Sequence, residues 1–170
     1  SLKGYVSLIH SGEKPCYKIT GNAYEECSQV LEWVEECKRT NIAMKDICVA
    51  APNMGMRKDL QTRMRTEGIA YNILKGTSKQ GEVDGLSLCT LHSLKGLEFK
   101  VIIMMGINER NMPSNPTDGH PFNGMDALDK KEYLSAKRSL MYVAITRARQ
   151  LVFIVGYGEP CDMISQLIEV

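Results

Sequence analysis

The chain of 170 residues has the length of one ordinary globular domain. Apolar residues make up 44% of it and charged residues 24%, which is enough for a core and excludes a disordered chain. A formal net charge of +1 excludes a uniformly basic surface, so any contact with nucleic acid has to be a local patch.

No apolar run reaches the roughly 18 residues of a membrane span, and no signal peptide is visible. The six cysteines form no Cys-x-x-Cys pair and no cluster with histidines at metal-ligand spacing. We therefore expect a cytoplasmic protein with no membrane contact and no metal site of its own, in which the cysteines are reduced and mostly buried.

Strand-like apolar runs alternate with helix-like stretches, which predicts an α/β domain with a mostly parallel sheet and no internal boundary. Asn22 and Glu25 resemble a capping box ahead of the first helix, and Gly68 is a C-terminal cap for the second. Helices are predicted over residues 24–39, 56–67, 130–149 and 163–168. Buried strands are predicted over residues 46–51, 71–74, 86–90, 101–105 and 151–155.

Two segments between these elements are polar. Residues 75–85 are predicted to form a turn of moderate length. Residues 108–124 are rich in Pro, Asn, Gly and Asp and are predicted to form a long surface loop, a kind of segment that often carries function.

Residues 88–99, written LCTLHSLKGLEF, join a buried strand to a polar turn. The polar turn contains Thr90, His92, Ser93, Lys95, Gly96 and Glu98. In a doubly wound sheet, ligands bind at the carboxyl edge, and such groups gathered there can hold phosphate oxygens. Glu98 can accept a hydrogen bond from a sugar hydroxyl. Composition alone favours an ordinary strand-to-helix turn in which Lys95 and Glu98 are solvated.

Residues 140–149, written LMYVAITRAR, carry the second group of candidates. An apolar stripe faces the core, and Arg147 and Arg149 are expected at the end of the helix, just before a strand. Arginines in that position can simply complement the helix dipole. The guanidinium of Arg147 can alternatively bind two phosphate oxygens at once.

Residues 90–99 resemble motif V of the UvrD/PcrA/Rep family of superfamily 1 DNA helicases, and residues 142–149 resemble motif VI. The order and the separation of the two motifs also fit, and the resemblance extends over roughly residues 44–156. It implies the second, C-terminal motor domain of such a helicase, with a RecA-like fold of the P-loop NTPase type. We expect residues 1–170 to form this single domain.

The resemblance implies a role for each matching residue. Thr90 and His92 would contact the backbone of single-stranded DNA. Gly96 and Glu98 would lie at the nucleotide ribose. Arg147 would be an arginine finger that faces the γ-phosphate across the cleft between two motor domains. Tyr142 and Thr146 are expected to be packing and helix-orienting residues.

The full protein would couple ATP hydrolysis to movement along single-stranded DNA, with single-stranded and duplex DNA as its partners. Its cofactors, ATP and Mg²⁺, would be completed by the N-terminal RecA-like domain of the same parent protein, because this chain has no G-x-x-x-x-G-K-[ST] loop. The family's Asn-Tyr-Arg-Ser element is missing and would lie upstream of Ser1. The large accessory subdomain is missing as well, with only residues 75–85 in its place. The fragment alone is therefore expected to be inactive.

Two other interpretations stay open. The chain could be a non-catalytic remnant of a helicase that binds nucleic acid or protein. It could also be the helicase half of a larger helicase-nuclease.

Overall fold

The computed structural model describes residues 17–53, 55, 58–75, 78–79, 83–113 and 124–164. The helices are α1 (Ala23–Arg39), α2 (Lys58–Glu67) and α3 (Ala127–Thr146). The strands are β1 (Tyr17–Thr20), β2 (Ile47–Ala51), β3 (Tyr71–Lys75), β4 (Ser78–Lys79), β5 (Leu86–Thr90), β6 (Phe99–Met104) and β7 (Ala148–Tyr157). Short 3-10 turns cover Met44–Asp46 and Leu91–Leu94.

The described strands form one seven-stranded sheet in the order β1-β7-β6-β2-β5-β3-β4. Every neighbouring pair is parallel except β3 and β4. The predicted α/β fold with a mostly parallel sheet is therefore confirmed. The strands β1 and β4 were not predicted. The second of these lies within the segment 75–85 expected to be only a turn, where Ser78 and Lys79 pair with the end of β3.

Helices cover both faces of the sheet. Side chains of β2 alternate between the faces, with Cys48 and Ala50 on one side and Val49 on the other. The Cys48 side packs against α3 and the turn Leu91–Leu94, and the Val49 side packs against α1 and α2. Complete burial of such an aliphatic side chain contributes roughly 1.5–3 kcal/mol, so this layered core dominates the stability of the domain.

The connections between strands explain where a ligand can enter. Helices α1 and α2, which precede and follow β2, lie on one face, whereas the connections on either side of β6 lie on the other. Strands β2 and β6 are neighbours. Their carboxyl ends therefore lead into chain segments that diverge to opposite faces, which leaves a crevice at a topological switch point.

The predicted first helix and its cap are confirmed. Asn22 Oδ1 accepts a hydrogen bond from Glu25 N at 2.9 Å, and Glu25 Oε2 accepts one from Gly21 N at 2.7 Å. Trp33 on α1 is only 3% exposed, and its ring centroid lies 4.9 Å from that of Phe153. Trp33 is thus a packing residue and not an exposed platform.

The end of the third helix was predicted wrongly. The sequence indicated a helix over 130–149, but α3 begins after the N-cap Asp126 and ends at Thr146, with Arg147 as its C-cap. Ala148 instead pairs with Phe99, so Ala148 and Arg149 belong to β7. Pairing with β6 thus overrides the helix propensity of this stretch.

The remaining predictions agree with the described residues. Gly68, the predicted cap, has φ +71°. None of the described cysteines forms a disulfide, and all of them are buried. The predicted helix 163–168 is seen over residues 162–164, and its remainder lies outside the described residues. The same holds for residues 114–123 of the predicted long loop and for residues 56–57 at the start of the second predicted helix.

Candidate functional site

Thr90 and His92 lie at the carboxyl edge of the sheet. Thr90 is the last residue of β5 and pairs with Ala51, the last residue of β2. Its hydroxyl oxygen lies 3.0 Å from that of Ser93, and the side chain of His92 is exposed. Two hydroxyl groups and an imidazole are therefore accessible together at this edge.

The turn Leu91–Leu94 holds these groups in place. Leu91 and Leu94 are 1% and 0% exposed, and they share a core cluster with Met141 and Ala144 of α3. Because its apolar side chains are buried under α3, the turn has a fixed orientation while His92 points to solvent.

Gly96 and Glu98 do not lie at that edge. Strands β5 and β6 are both parallel to β2, so the chain between them must cross from the carboxyl edge to the amino edge of the sheet. Glu98 immediately precedes β6 and is exposed at the amino edge. The expectation of one polar cluster at the carboxyl edge is therefore wrong. A six-residue strand is roughly 20 Å long, which is the order of the separation between the two groups.

Glu98 and Arg147 lie side by side at the amino edge. They precede Phe99 and Ala148, which are paired residues of the parallel strands β6 and β7. The backbone N–H of Phe99 donates to the carbonyl of Arg147 at 3.1 Å. Gly96, with φ +82°, provides the left-handed turn through which the chain approaches this edge. Topology thus brings the ends of the two motifs together.

The side chain of Arg147 carries an unused donor. Its Nε atom is buried and has no hydrogen-bond partner among the described residues. Its backbone N–H is satisfied by Ala144 O at 3.2 Å, as expected for a C-cap. A buried guanidinium N–H without an acceptor costs free energy, so this arrangement fits an acceptor supplied from outside the chain.

Residues 76–158 match the family model of the UvrD-like helicase C-terminal domain. This span contains both motifs. The chain is related to the C-terminal domains of UvrD-like helicases.

Similar proteins agree with that relationship. A probable DNA helicase of Mycoplasma pneumoniae is 41% identical over 71 residues, which is 42% of this chain and 12% of that protein. The ATP-dependent DNA helicase PcrA of Bacillus subtilis is 37% identical over 78 residues, or 46% of this chain and 9% of that protein. UvrD1 of Mycobacterium tuberculosis H37Rv is 41% identical over 69 residues, which is 41% of this chain and 8% of that protein. The matched part is thus about a tenth of the length of these relatives.

A solved structure shares the fold. The C-terminal domain of a possible DNA helicase from Lactobacillus plantarum WCFS1 superposes with a TM-score of 0.69, covering 93% of this chain and 83% of that chain. Sequence identity is 15%, so the likeness concerns the fold alone.

One role expected from motif VI is wrong for this chain. Tyr142 is 63% exposed and does not pack into the core. Thr146, in contrast, donates from its hydroxyl to the carbonyl of Val143 at 2.8 Å, within the last turn of α3. Its expected part in orienting the helix end agrees with that bond.

The described part of the chain contains no group of three acidic, histidine or cysteine side chains arranged to hold a metal. None of its helices is both long and apolar enough to cross a membrane.

The described part of the chain also has a cavity that the sequence did not indicate. It measures about 350 Å³ and lies at the switch point between β2 and β6. Its lining consists of Ala23, Glu26, Cys27, Asn53, Gly55, Asp59, Gly106, Arg110, Asn111 and Tyr157. Glu26 is 3% exposed, and burial raises its pKa to about 7, although the hydrogen bond from the Gly106 amide acts in the opposite direction.

The sequence does hold a signal for Glu26. It lies four residues before Val30 and seven before Trp33, on the buried face of α1. A carboxylate on the apolar stripe of an amphipathic helix is unusual, because burying it requires a partner or a function.

Proposed function

We propose that this chain is the second motor domain of an ATP-dependent DNA helicase or translocase. Thr90 and His92 contact single-stranded DNA at the carboxyl edge, and Arg147 acts as an arginine finger at the amino edge. The observation that carries the proposal is the hydrogen bond from Phe99 N to Arg147 O, because it joins the end of motif V to the end of motif VI at one edge.

The amino edge offers groups that suit a nucleotide. Glu98 is an exposed acceptor for a ribose hydroxyl, and Gly96 leaves room beside it. The unused Nε of Arg147 is a donor for a phosphate oxygen. ATP and Mg²⁺ would be held mainly by the N-terminal RecA-like domain, and the bound Mg²⁺ would neutralise phosphate charge there. This chain orients the γ-phosphate through Arg147 and the ribose through Glu98.

The carboxyl edge offers groups that suit a strand backbone. Hydroxyls and an imidazole donate to phosphate oxygens without reading the sequence of bases. The domain is proposed to comprise residues 1–170, with the segment 75–85 replacing the accessory subdomain of related helicases.

The isolated chain is expected to fold and to release phosphate from ATP no faster than a blank, even with Mg²⁺ and single-stranded DNA. The physical reason is that it lacks a phosphate-binding glycine loop and, among its described residues, a metal-binding group. Phosphate release is measured beside the same assay on the full-length parent protein. Turnover by the isolated chain that disappears on mutation of Arg147 would contradict this expectation.

In the full-length protein, Thr90→Val and His92→Ala are each expected to weaken binding to all single-stranded sequences by a similar factor. Contacts to phosphate carry no sequence information, so the loss is uniform. Affinity is measured by fluorescence anisotropy on several homopolymers. Thr40→Val is the matched control, because Thr40 is exposed at the end of α1 and its hydroxyl donates to Cys37 O. A loss confined to one sequence would argue for base contacts instead.

A further inference from the structure

The cavity at the switch point between β2 and β6 has a preformed rim. Asn111 Nδ2 donates to Gly106 O at 3.0 Å, and Asn108 Oδ1 accepts from Asn111 N at 2.8 Å. Asn108 also donates to Tyr157 O at 2.9 Å, which ties the loop after β6 to the end of β7. The loop is therefore held rigidly around the opening, as is typical of binding sites.

Glu26 forms the floor of this cavity. Its Oε2 atom accepts a hydrogen bond from Gly106 N at 3.2 Å, and no described residue donates to its Oε1 atom. The side chain is 3% exposed, so bulk water has little access to it. This oxygen is therefore available to accept a hydrogen bond from a ligand N–H in the cavity.

The rest of the lining narrows the chemistry of the ligand. Asp59 adds a second carboxylate, Asn53 adds a carboxamide, and Arg110 at the mouth is cationic. The floor therefore suits a group with N–H donors, and the exposed side, with both Asp59 and Arg110, has no net charge. A nucleobase carries such N–H groups.

An aromatic platform lies next to the cavity. Tyr24 is 70% exposed, and the guanidinium of Arg63 lies 4.3 Å from its ring centroid. A second hollow, lined in part by Tyr24 and Arg63, shares Cys27 and Asp59 with the cavity. Exposed aromatic rings beside a groove stack on bases of single strands.

The cavity continues the edge on which Thr90 lies. Thr90 pairs with Ala51, and Asn53 of the lining follows β2 two residues later. A strand held at Thr90 therefore passes the cavity if it follows the carboxyl edge.

We propose that this cavity binds one base of a single strand and selects bases with an exocyclic amino group, with Glu26 Oε1 as the acceptor. The inference rests on the proposed binding of single-stranded DNA and adds a base preference to it. Cytosine and adenine present an amino group to Glu26, and acidic side chains accept well from cytosine N4. Uracil and thymine present a carbonyl oxygen at the same ring position, which a carboxylate repels.

The test compares two strands whose bases differ in the group on C4, an amino group in dC and a carbonyl in dU, and in the hydrogen on N3, which only dU carries. Oligonucleotides of dC and dU are titrated against the full-length protein, and fluorescence anisotropy gives each Kd. At a pH above the pKa of about 7 that burial gives Glu26, where its carboxylate is ionised, we expect dC to bind about tenfold more tightly, because a hydrogen bond to a charged acceptor discriminates by about that factor. Equal affinities for dC and dU would overturn the inference while leaving strand binding itself intact.

The variant Glu26→Gln tests whether the carboxylate of Glu26 causes the preference for dC. The amide oxygen still accepts from Gly106 N, and the amide nitrogen turns a donor toward the base. We expect the preference to disappear or to shift toward dU, with affinity for dC falling about tenfold. An unchanged preference would exclude Glu26 as the reader. Thermal unfolding of Glu26→Gln checks that this variant is folded. The second variant is Asp59→Asn, because Asp59 lies on the exposed side of the cavity.

Two further outcomes are informative. Thr90→Val is expected to weaken the binding of dC and of dU by the same factor. If neither dC nor dU binds to the unaltered protein, the proposed binding of single-stranded DNA is wrong, and this inference falls with it. Agmatine carries a guanidinium group without a base. If agmatine binds in a Glu26-dependent manner while dC and dU bind equally, the cavity takes a basic side chain of a protein partner, and the base-reading inference is wrong.

Discussion

Arg147→Ala in the full-length protein is expected to lower kcat for ATP hydrolysis by about 10³–10⁵, with nucleotide affinity falling far less. The side chain is carried by a fixed backbone. Met141, Ala144 and Ile145 anchor the end of α3 in the core, and the carbonyl of Arg147 accepts from Phe99 N. A guanidinium on such a support needs little reorganisation to meet charge that develops on a transferring phosphoryl group.

Two measurements on three variants test this role. Steady-state ATPase and melting temperature are measured on Arg147→Ala, Arg147→Lys and Arg149→Ala. The lysine is expected to rescue poorly, because an ammonium cannot reproduce the planar fork of a guanidinium. Arg149 is the control, since it is exposed on β7 just beyond the site. If Arg147 only complemented the helix dipole, its alanine variant would lose about 0.3–1 kcal/mol of stability and keep near-normal turnover.

Gly156→Ala is expected to lower the free energy of unfolding by about 4 kcal/mol or more. A Cβ atom at this position would lie 1.9 Å from Ile107 O and 2.6 Å from its carbonyl carbon. Both are backbone atoms, and Ile107 is itself held by a hydrogen bond from its N–H to Val155 O at 3.1 Å. The clash therefore requires β7 and the segment after β6 to separate.

Urea unfolding of Gly156→Ala and Gly158→Ala distinguishes close approach from backbone strain. Gly158 has φ +82°, and no atom lies within 4 Å of the position that a Cβ atom would take there, so its variant is expected to lose only about 1 kcal/mol. If the two variants lose similar free energies of unfolding, Ile107 and Gly156 can move apart at little cost.

Local signals in the sequence predict the helices and central strands of this domain. The cap formed by Asn22 and Glu25 and the apolar run of β5 are examples, because short-range contacts decide both. The strand β1 could not be predicted in that way. It is short and only partly buried, and pairing with β7, far away in sequence, gives it its conformation.

The end of α3 was predicted wrongly for the same reason. Alanine and arginine favour a helix, but the bonds between Ala148, Arg147 and Phe99 end it. In the candidate site, residues close in sequence were expected to be close in space. The order of the strands separates Thr90 from Glu98 instead and brings Glu98 next to Arg147.

The crossing from Thr90 to Glu98 limits how the domain can move. Leu91 and Leu94 of its 3-10 turn are buried under α3, and Leu97 N donates to Leu94 O at 3.0 Å in the turn that follows. A crossing that is packed and hydrogen-bonded in this way cannot easily absorb a displacement between its ends. The edge with Thr90 and the edge with Glu98 are therefore expected to move together as one rigid unit, so that under the proposed function any movement driven by hydrolysis takes place at a hinge outside this unit.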